Sequence, residues 1–243
     1  MTKRILALSP HLDDAAFSCG GTLAMLAQAG WHVTVTTLFT QSVPNPNRFA
    51  LACQLDKGLG ADVDYMALRR TEDAAAMRTL GVSFMHAALR EAPHRGYESA
   101  EALFGPPSAG DTIGTILRSV IDDQIFQIKP DFIFAPQAIG GHVDHVQVVR
   151  ALEGMDRSLV WWQDFPYTIR STAPAEPFAV KMRTLPIRSV RLDKSAIMSR
   201  EAACLAYASQ LDFQFGGAIG LATKLRQAGS IEFFRSSHGF TIT

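Results

Sequence analysis

The first forty residues constrain the fold more tightly than any other stretch. Lys3 to Leu8 is an apolar run of strand length, and His32 to Phe39 is a second, rich in β-branched residues. Both have the composition of strands buried on two faces. Between them, Ser18 to Gly30 places Leu23, Leu26 and Ala27 at helical spacing, with Gly30 as the stop. A strand, a helix and a strand in so short a span make a right-handed βαβ crossover and a parallel pair. The turn joining the first strand to the helix reads Ser9-Pro10-His11-Leu12-Asp13-Asp14, three metal ligands or proton carriers in four positions. Open α/β sheets bind their ligands over such turns, beyond the carboxyl ends of the strands.

The alternation continues downstream. Arg69 to Gly81 reads as a helix with a glycine stop, and Val82 to Leu89 as the next strand. Asp111 or Thr112 caps a helix reaching about Ile128, with Ile113, Ile116, Leu117, Val120 and Ile121 on one face. Asp131 to Pro136 is another buried strand, opening onto Gly140-Gly141-His142-Val143-Asp144-His145; Val146 to Leu152 follows as a helix and Leu159 to Trp162 as a strand. Beyond Asp164 the pattern weakens. Pro166, Pro174, Pro177 and Pro186 interrupt a segment whose Phe178 to Leu192 portion suggests an antiparallel hairpin or edge strands. Lys194 to Ser209 reads as a helix and Ile231 to Arg235 as a last strand. Two stretches read as loops: Gln41 to Asn47, a candidate substrate loop at the rim of the opening motif, and Arg90 to Gly110, a long surface excursion. The expected class is α/β, a Rossmann-like, mostly parallel sheet with helices on both faces and a C-terminal antiparallel elaboration. One domain over residues 1–243 accommodates it.

Charge narrows the partners. With 23 basic and 23 acidic residues the chain has no electrostatic footprint for nucleic acid or an anionic membrane surface. A small molecule is the expected partner, and a homo-oligomer is left open. Cys19, Cys53 and Cys204 are odd in number and lack a C-x-x-C pair, which argues against a disulfide framework and against a thiolate zinc site. They read as buried small hydrophobes in a reducing compartment. The N-terminus carries no apolar signal core and no apolar run is long enough to span a bilayer, so a cytoplasmic protein without a membrane span is expected.

The cluster His142-Val143-Asp144-His145 stands in the same context as the opening motif, just past a strand and entering a helix. If the strands through Leu8 and Phe134 are neighbours at the topological switch point, the two clusters meet in one crevice. Two imidazoles and one carboxylate around an open position suit a catalytic zinc ion. The spare Asp and His are then proton carriers. A single Asp at a helix start is ordinarily an N-cap, but capping requires no histidine, and each cluster mixes both. His32, His86 and His94 have no such company and read as ordinary residues.

Through Pro10-His11-Leu12-Asp13-Asp14, Arg69-x-x-Glu72 with Ala76 and Leu80-Gly81, and His142-x-Asp144-His145, the chain resembles the PIG-L/LmbE-like family of zinc-dependent N-acetylglucosamine deacetylases. Lys194 with Tyr207-Ala208-Ser209-Gln210 is similar to a later feature of that family. The chain departs from the pattern at Leu12, where the family commonly has proline, and at Ala15, where many members have glutamate. The resemblance implies that His11, Asp14 and His145 bind one zinc ion and that Asp13 is the general base toward the hydrolytic water. It implies that His142, oriented by Asp144, donates to the tetrahedral oxyanion and to the leaving amine. Arg69 is implied as a substrate contact, against an ordinary i,i+3 pair with Glu72. Asp164 is a candidate for sugar hydroxyls, against a plain turn residue. For Trp161, Trp162 and Tyr167, core packing leads over stacking on a sugar.

The implied function is removal of an acetyl group from an N-acetylglucosamine-type amino sugar or glycoconjugate. Two alternatives stand beside it, an amidase acting on a thiol conjugate or other non-sugar amide, and a non-catalytic sugar- or nucleotide-binding module on the same fold. The module lacks its G-x-G-x-x-G fingerprint here, since Gly20-Gly21 comes late and no third glycine follows. Another divalent transition metal fits the same ligands.

Overall fold

A computed structural model describes residues 2–240 of the chain. Strand β1 (Arg4–Ser9) lies between β2 (His32–Thr37) and β4 (Phe132–Pro136), with β3 (Ser83–His86) beyond β2 and β5 (Leu159–Trp162) beyond β4, all parallel. β7 (Ile231–Arg235) pairs antiparallel with β5, and β6 (Ile187–Arg191) antiparallel with β7. The resulting order, β3-β2-β1-β4-β5-β7-β6, is the expected Rossmann-like sheet with its antiparallel addition. β1 and β4 are paired with Leu6 opposite Ile133, so the turns that follow them stand side by side.

Strand side chains alternate between two cores, as the pleat requires. Ile5 and Ala7 join Phe17, Leu23, Met77 and Tyr207 on the face covered by α1 (Asp14–Gln28), α3 (Tyr65–Leu80) and α9 (Lys194–Leu205). Leu6 and Leu8 join Leu117, Ile121 and Val148 under α5 (Ile113–Ile128) and α6 (Val143–Ala151). Trp162 belongs to the first core and Trp161 to the second, both fully buried, so neither faces a ligand. The remaining helices are α2 (Arg48–Leu55), α4 (Ala100–Leu103), α7 (Tyr167–Arg170), α8 (Ala179–Arg183), α10 (Ala208–Phe215) and α11 (Ala218–Ala228). Among the described residues no helix is long and apolar enough to cross a membrane.

Several segments differ from the sequence reading. Of the hairpin or edge strands suggested over 178–192, the second half is an antiparallel edge strand, β6, while the first half is the helix α8. The helix expected over Lys194 to Ser209 stops at Leu205, and the chain re-enters helix as α10. The stretch over 90–110 runs mostly over the surface, as expected, but its first part is anchored. Ala92–Arg95 forms a 3-10 turn, Ala92 and Tyr97 are buried, and Asn47 Nδ2 holds the Pro93 carbonyl at 2.6 Å.

α1 begins at Asp14, before the first expected helical residue, and kinks at Cys19 (φ −143°, ψ 18°). The kink frees the N–H groups of Gly21 and Thr22, and the buried Glu232 carboxylate from β7 accepts them at 3.1 and 2.8 Å. Arg200 of α9 lies 3.4 Å from the same carboxylate and also donates to the Phe17 carbonyl. The glycines at this kink are unequal. A Cβ on Gly21 would sit 2.4 Å from Leu192 Cδ1, whereas one on Gly20 would meet nothing closer than 3.6 Å. Gly21→Ala is therefore expected to destabilise the protein by about 1–3 kcal/mol through overpacking. Gly20→Ala should be neutral or stabilising by up to about 1 kcal/mol. Urea unfolding of the two variants measures the contrast.

Candidate active site

The turn after β1 is braced by its own side chains. Ser9 Oγ donates to the His11 carbonyl at 2.7 Å and accepts from the Ala15 N–H at 3.1 Å, while Asp14 Oδ2 accepts the His11 N–H at 2.7 Å. Asp13 adopts φ 145°, ψ −31°, a conformation costly for any residue but glycine. Its neighbours hold it there. Gln214 Nε2 of α10 donates to Asp13 Oδ2 at 3.0 Å, and Arg69 of α3 lies 3.3 Å from the same oxygen while donating to the Leu12 carbonyl.

His11, Asp14 and His145 each offer one ligand atom, and these atoms lie within 4.8 Å of one another. His145 Nε2 is 3.1 Å from Asp14 Oδ2, and among the described residues this buried nitrogen has no hydrogen-bond partner. A buried lone nitrogen beside a carboxylate and a second imidazole is a donor set that fits a divalent transition metal. The far side of each ring is also provided for. His145 Nδ1 is bonded to Asp164 Oδ1 at 2.9 Å, and His11 Nε2 to Asp144 Oδ2 at 2.9 Å. Carboxylates in that position fix the tautomer of a metal-ligating imidazole. A second triple, His11, His142 and Asp144, is as close, but there Asp144 also accepts the Ala92 N–H at 3.1 Å and supports rather than ligates.

Burial alone would lower the His145 imidazole, but the adjacent Asp14 charge and the hydrogen bond of Nδ1 to Asp164 bring it up to about 9. Burial likewise opposes charge on His11, which hydrogen bonds to Asp14 and Asp144 raise well above its ordinary value. Asp14, which burial would raise, is held well below the carboxylate range by His145 and His11. Two imidazoles thus face one carboxylate that favours positive charge between them. Asp13 behaves differently, since burial lifts it to about 7 against the pull of Arg69.

His142 is the N-cap of α6. Its Nδ1 accepts the Asp144 backbone N–H at 3.2 Å, which leaves Nε2 to carry the ring proton. Burial and the neighbouring His11 push its imidazole down to about 3, so it is neutral at pH 7. Asp144 therefore meets His142 through its backbone. Its carboxylate stands 4.0 Å from His142 Nδ1 and serves His11 instead.

Two further expectations change. Arg69 does not pair with Glu72. It reaches Glu91 Oε1 at 3.1 Å, while Glu72 accepts the N–H and hydroxyl of Ser209, both at 2.7 Å. Asp164 lies outside the lining of the cleft, 1% exposed, with its second oxygen accepting the Ile139 N–H at 2.9 Å. His86 is bonded to Asp73 at 2.8 Å and His32 is exposed, in keeping with an ordinary reading, but His94 lines the cleft.

The cleft encloses about 500 Å³. His11, Asp13, Asp14 and His142 form its floor, Ser42, Val43, Pro44 and Pro46 of the early loop one wall, and Glu91, Pro93 and Leu103 another. Tyr65, Gln210, Gln214 and Tyr167 line it as well, and Cys53, expected in the core, is half-buried there. Tyr167 packs on the backbone of Gly140, where a Cβ would fall 2.4 Å from its ring. Glu91 and Gln214 carry no spacing or periodic signal in the sequence. Nothing short of the fold brings them to Asp13.

The comparisons agree with this geometry. A family profile described as "PIG-L: GlcNAc-PI de-N-acetylase" matches residues 6–155. The chain is 33% identical over 192 residues to a 2'-N-acetylparomamine deacetylase of Streptomyces fradiae, covering 72% of this chain and 66%, just under two thirds, of that protein. It superimposes on the A40926 pseudoaglycone deacetylase Dbv21 with a TM-score of 0.80 and 29% identity over 97% of both chains. It also superimposes on the zinc inhibited form of teicoplanin deacetylase Orf2 with a TM-score of 0.79 and 25% identity, covering 96% of this chain and 97% of that one. With its β1 turn, α3 and α6 turn all inside the matched segment, the chain belongs to the PIG-L family.

Proposed function

We propose that this chain is a metal-dependent N-deacetylase that removes an acetyl group from an amino sugar or a glycoside bearing one. The observation that carries the reading is one cleft whose floor holds two residues of the donor set, His11 and Asp14, beside a buried base, Asp13, and a neutral donor, His142, with the buried His145 completing the set from beneath. Relatives named as deacetylases of 2'-N-acetylparomamine and of the A40926 pseudoaglycone support the substrate class. We assign one ion per chain and take zinc as the first candidate, iron and manganese suiting the same ligands. When bound, such a cation polarises the amide carbonyl and makes water nucleophilic near neutral pH.

The chain's own residues perform the proton transfers. Asp13 Oδ2 is held by Gln214 and Arg69, which leaves Oδ1 to take the proton of the attacking water. A carboxyl brought up to about 7 is matched to that task at neutral pH. As the carbonyl carbon becomes tetrahedral, the Nε2–H of His142 donates to the developing oxyanion. The proton collected by Asp13 passes to the amine as the C–N bond breaks, giving acetate and a free amino sugar. Arg69 is assigned to holding Asp13, because its guanidinium is already committed to Leu12, Asp13 and Glu91. The loop over 41–47 and the wall over 91–103 are assigned to contacting substrate. Asp164 is assigned to steadying His145.

Three sets of variants test this reading, with free amine released from a panel of N-acetylated amino sugars and glycosides as the assay. His11→Ala and His145→Ala are expected to lose the metal on dialysis, read by elemental analysis, and turnover with it. Asp13→Asn should keep the metal and lose about 10²- to 10⁴-fold in kcat. Wild-type-like turnover in Asp13→Asn removes it from the base role. His142→Ala should lose about 10²- to 10³-fold in kcat with little change in KM. If the metal-loaded protein releases no amine from any member of the panel, the deacetylase reading falls.

A further inference from the structure

The deacetylation chemistry makes no use of the charged group behind His11. Asp144 is fully buried; while its Oδ2 serves His11 and the Ala92 N–H, its Oδ1 lies 2.7 Å from Arg95 Nη2. Arg95 ends the 3-10 turn, with its side chain 9% exposed. It spans two carboxylates, since its Nη2 and Nε also reach Asp111 Oδ2 and Oδ1 at 3.1 and 3.2 Å. Asp111 is fixed from the other side by the Tyr97 hydroxyl at 3.0 Å and by Gln147 of α6 at 3.3 Å. The guanidinium also lies 5.0 Å from the centre of the Phe39 ring, and that ring is 6.1 Å from the His11 imidazole.

Burying an arginine between two carboxylates is weak as a device for stability, because desolvation offsets much of the attraction. Its geometry, however, has a direction. The rigid guanidinium fork closes on Asp111 with two hydrogen bonds, which fixes the Nη2 charge against Asp144 Oδ1, a contact made by charge and not by a hydrogen bond. The other ligand imidazole lacks any such fork. Asp164, behind His145, takes its second hydrogen bond from the backbone of Ile139.

We infer that Arg95 is a positioning residue for the metal centre: it locks the Asp144 carboxylate so that Oδ2 grips His11 Nε2 and leaves Nδ1 facing Asp14. The inference rests on the assignment of His11 as a ligand. It also ties metal retention to the wall of the cleft, because Arg95 shares its turn with the cleft-lining Pro93 and His94. Loss of a group that orients a ligand typically lowers metal affinity 10- to 100-fold.

The test measures metal affinity apart from turnover. Metal-stripped wild type, Arg95→Gln, Arg95→Lys and Asp111→Asn are titrated with Zn²⁺ and with Co²⁺ against a chromophoric chelator, and folding is followed by near-UV circular dichroism. Arg95→Gln is expected to raise the dissociation constant about 10- to 100-fold. Arg95→Lys should recover part of that loss, and Asp111→Asn, which keeps Arg95 but frees one end of it, should show a smaller loss in the same direction. A folded Arg95→Gln protein that binds both metals as tightly as wild type overturns the inference. Should Arg95→Gln fail to fold, Asp111→Asn with wild-type affinity overturns it equally. A wild type that takes up no metal overturns instead the reading of His11, Asp14 and His145 as ligands.

Discussion

The hydrogen-bonded pairing of β1 with β4 is the contact on which the site depends. These strands are far apart in the chain, and the register that sets Leu6 opposite Ile133 brings the turn carrying His11, Asp13 and Asp14 beside the one carrying His142, Asp144 and His145. Apolar side chains on both faces of the two strands leave that register little freedom, since a slip by one residue would send each of them into the wrong core. The donor set His11, Asp14 and His145 is thus a consequence of sheet packing.

Around that contact the charges are arranged in layers. Asp14 lies among imidazoles, Asp144 and Asp164 stand behind them, and arginines hold the outer parts: Arg69 against Asp13 and Glu91, Arg95 against Asp144 and Asp111. Buried carboxylates at this density would repel one another without those partners. The strained backbone of Asp13 belongs to the same arrangement. Local preference does not favour its φ of 145°, and contacts from α3 and α10 keep it there.

The parts of this design that are periodic or clustered in sequence were legible in it. Leu159–Trp162 and Ile231–Arg235 are strands with the bounds their composition suggests, and the two His/Asp clusters announce a shared crevice because each follows an apolar strand. What the sequence hid has a common cause. Asp164 looks like a turn residue, Asp144 like a partner of its neighbour His142, and Arg69 like a helix-surface pair with Glu72, because a sequence offers only near neighbours as partners. Their true partners are Ile139 and His145, His11 and Arg95, and Asp13 and Glu91. The segment over 90–110 was legible as a loop but not as a wall of the cleft. Prolines and glycines there signal the absence of regular structure, and they do not reveal that Ala92 and Tyr97 are packed inside.

The kink at Cys19 bears on where the working unit of this protein ends. The profile of the family stops at residue 155, yet the carboxylate that receives Gly21 and Thr22 belongs to Glu232, and the amide that steadies Asp13 belongs to Gln214. Ser209 and Tyr207 reach back in the same way to Glu72 and Asp73. The last third of the chain is therefore a strut under the helix that presents Asp14, and a shuffled or shortened tail would have to bring its own acid and amide to the same two places.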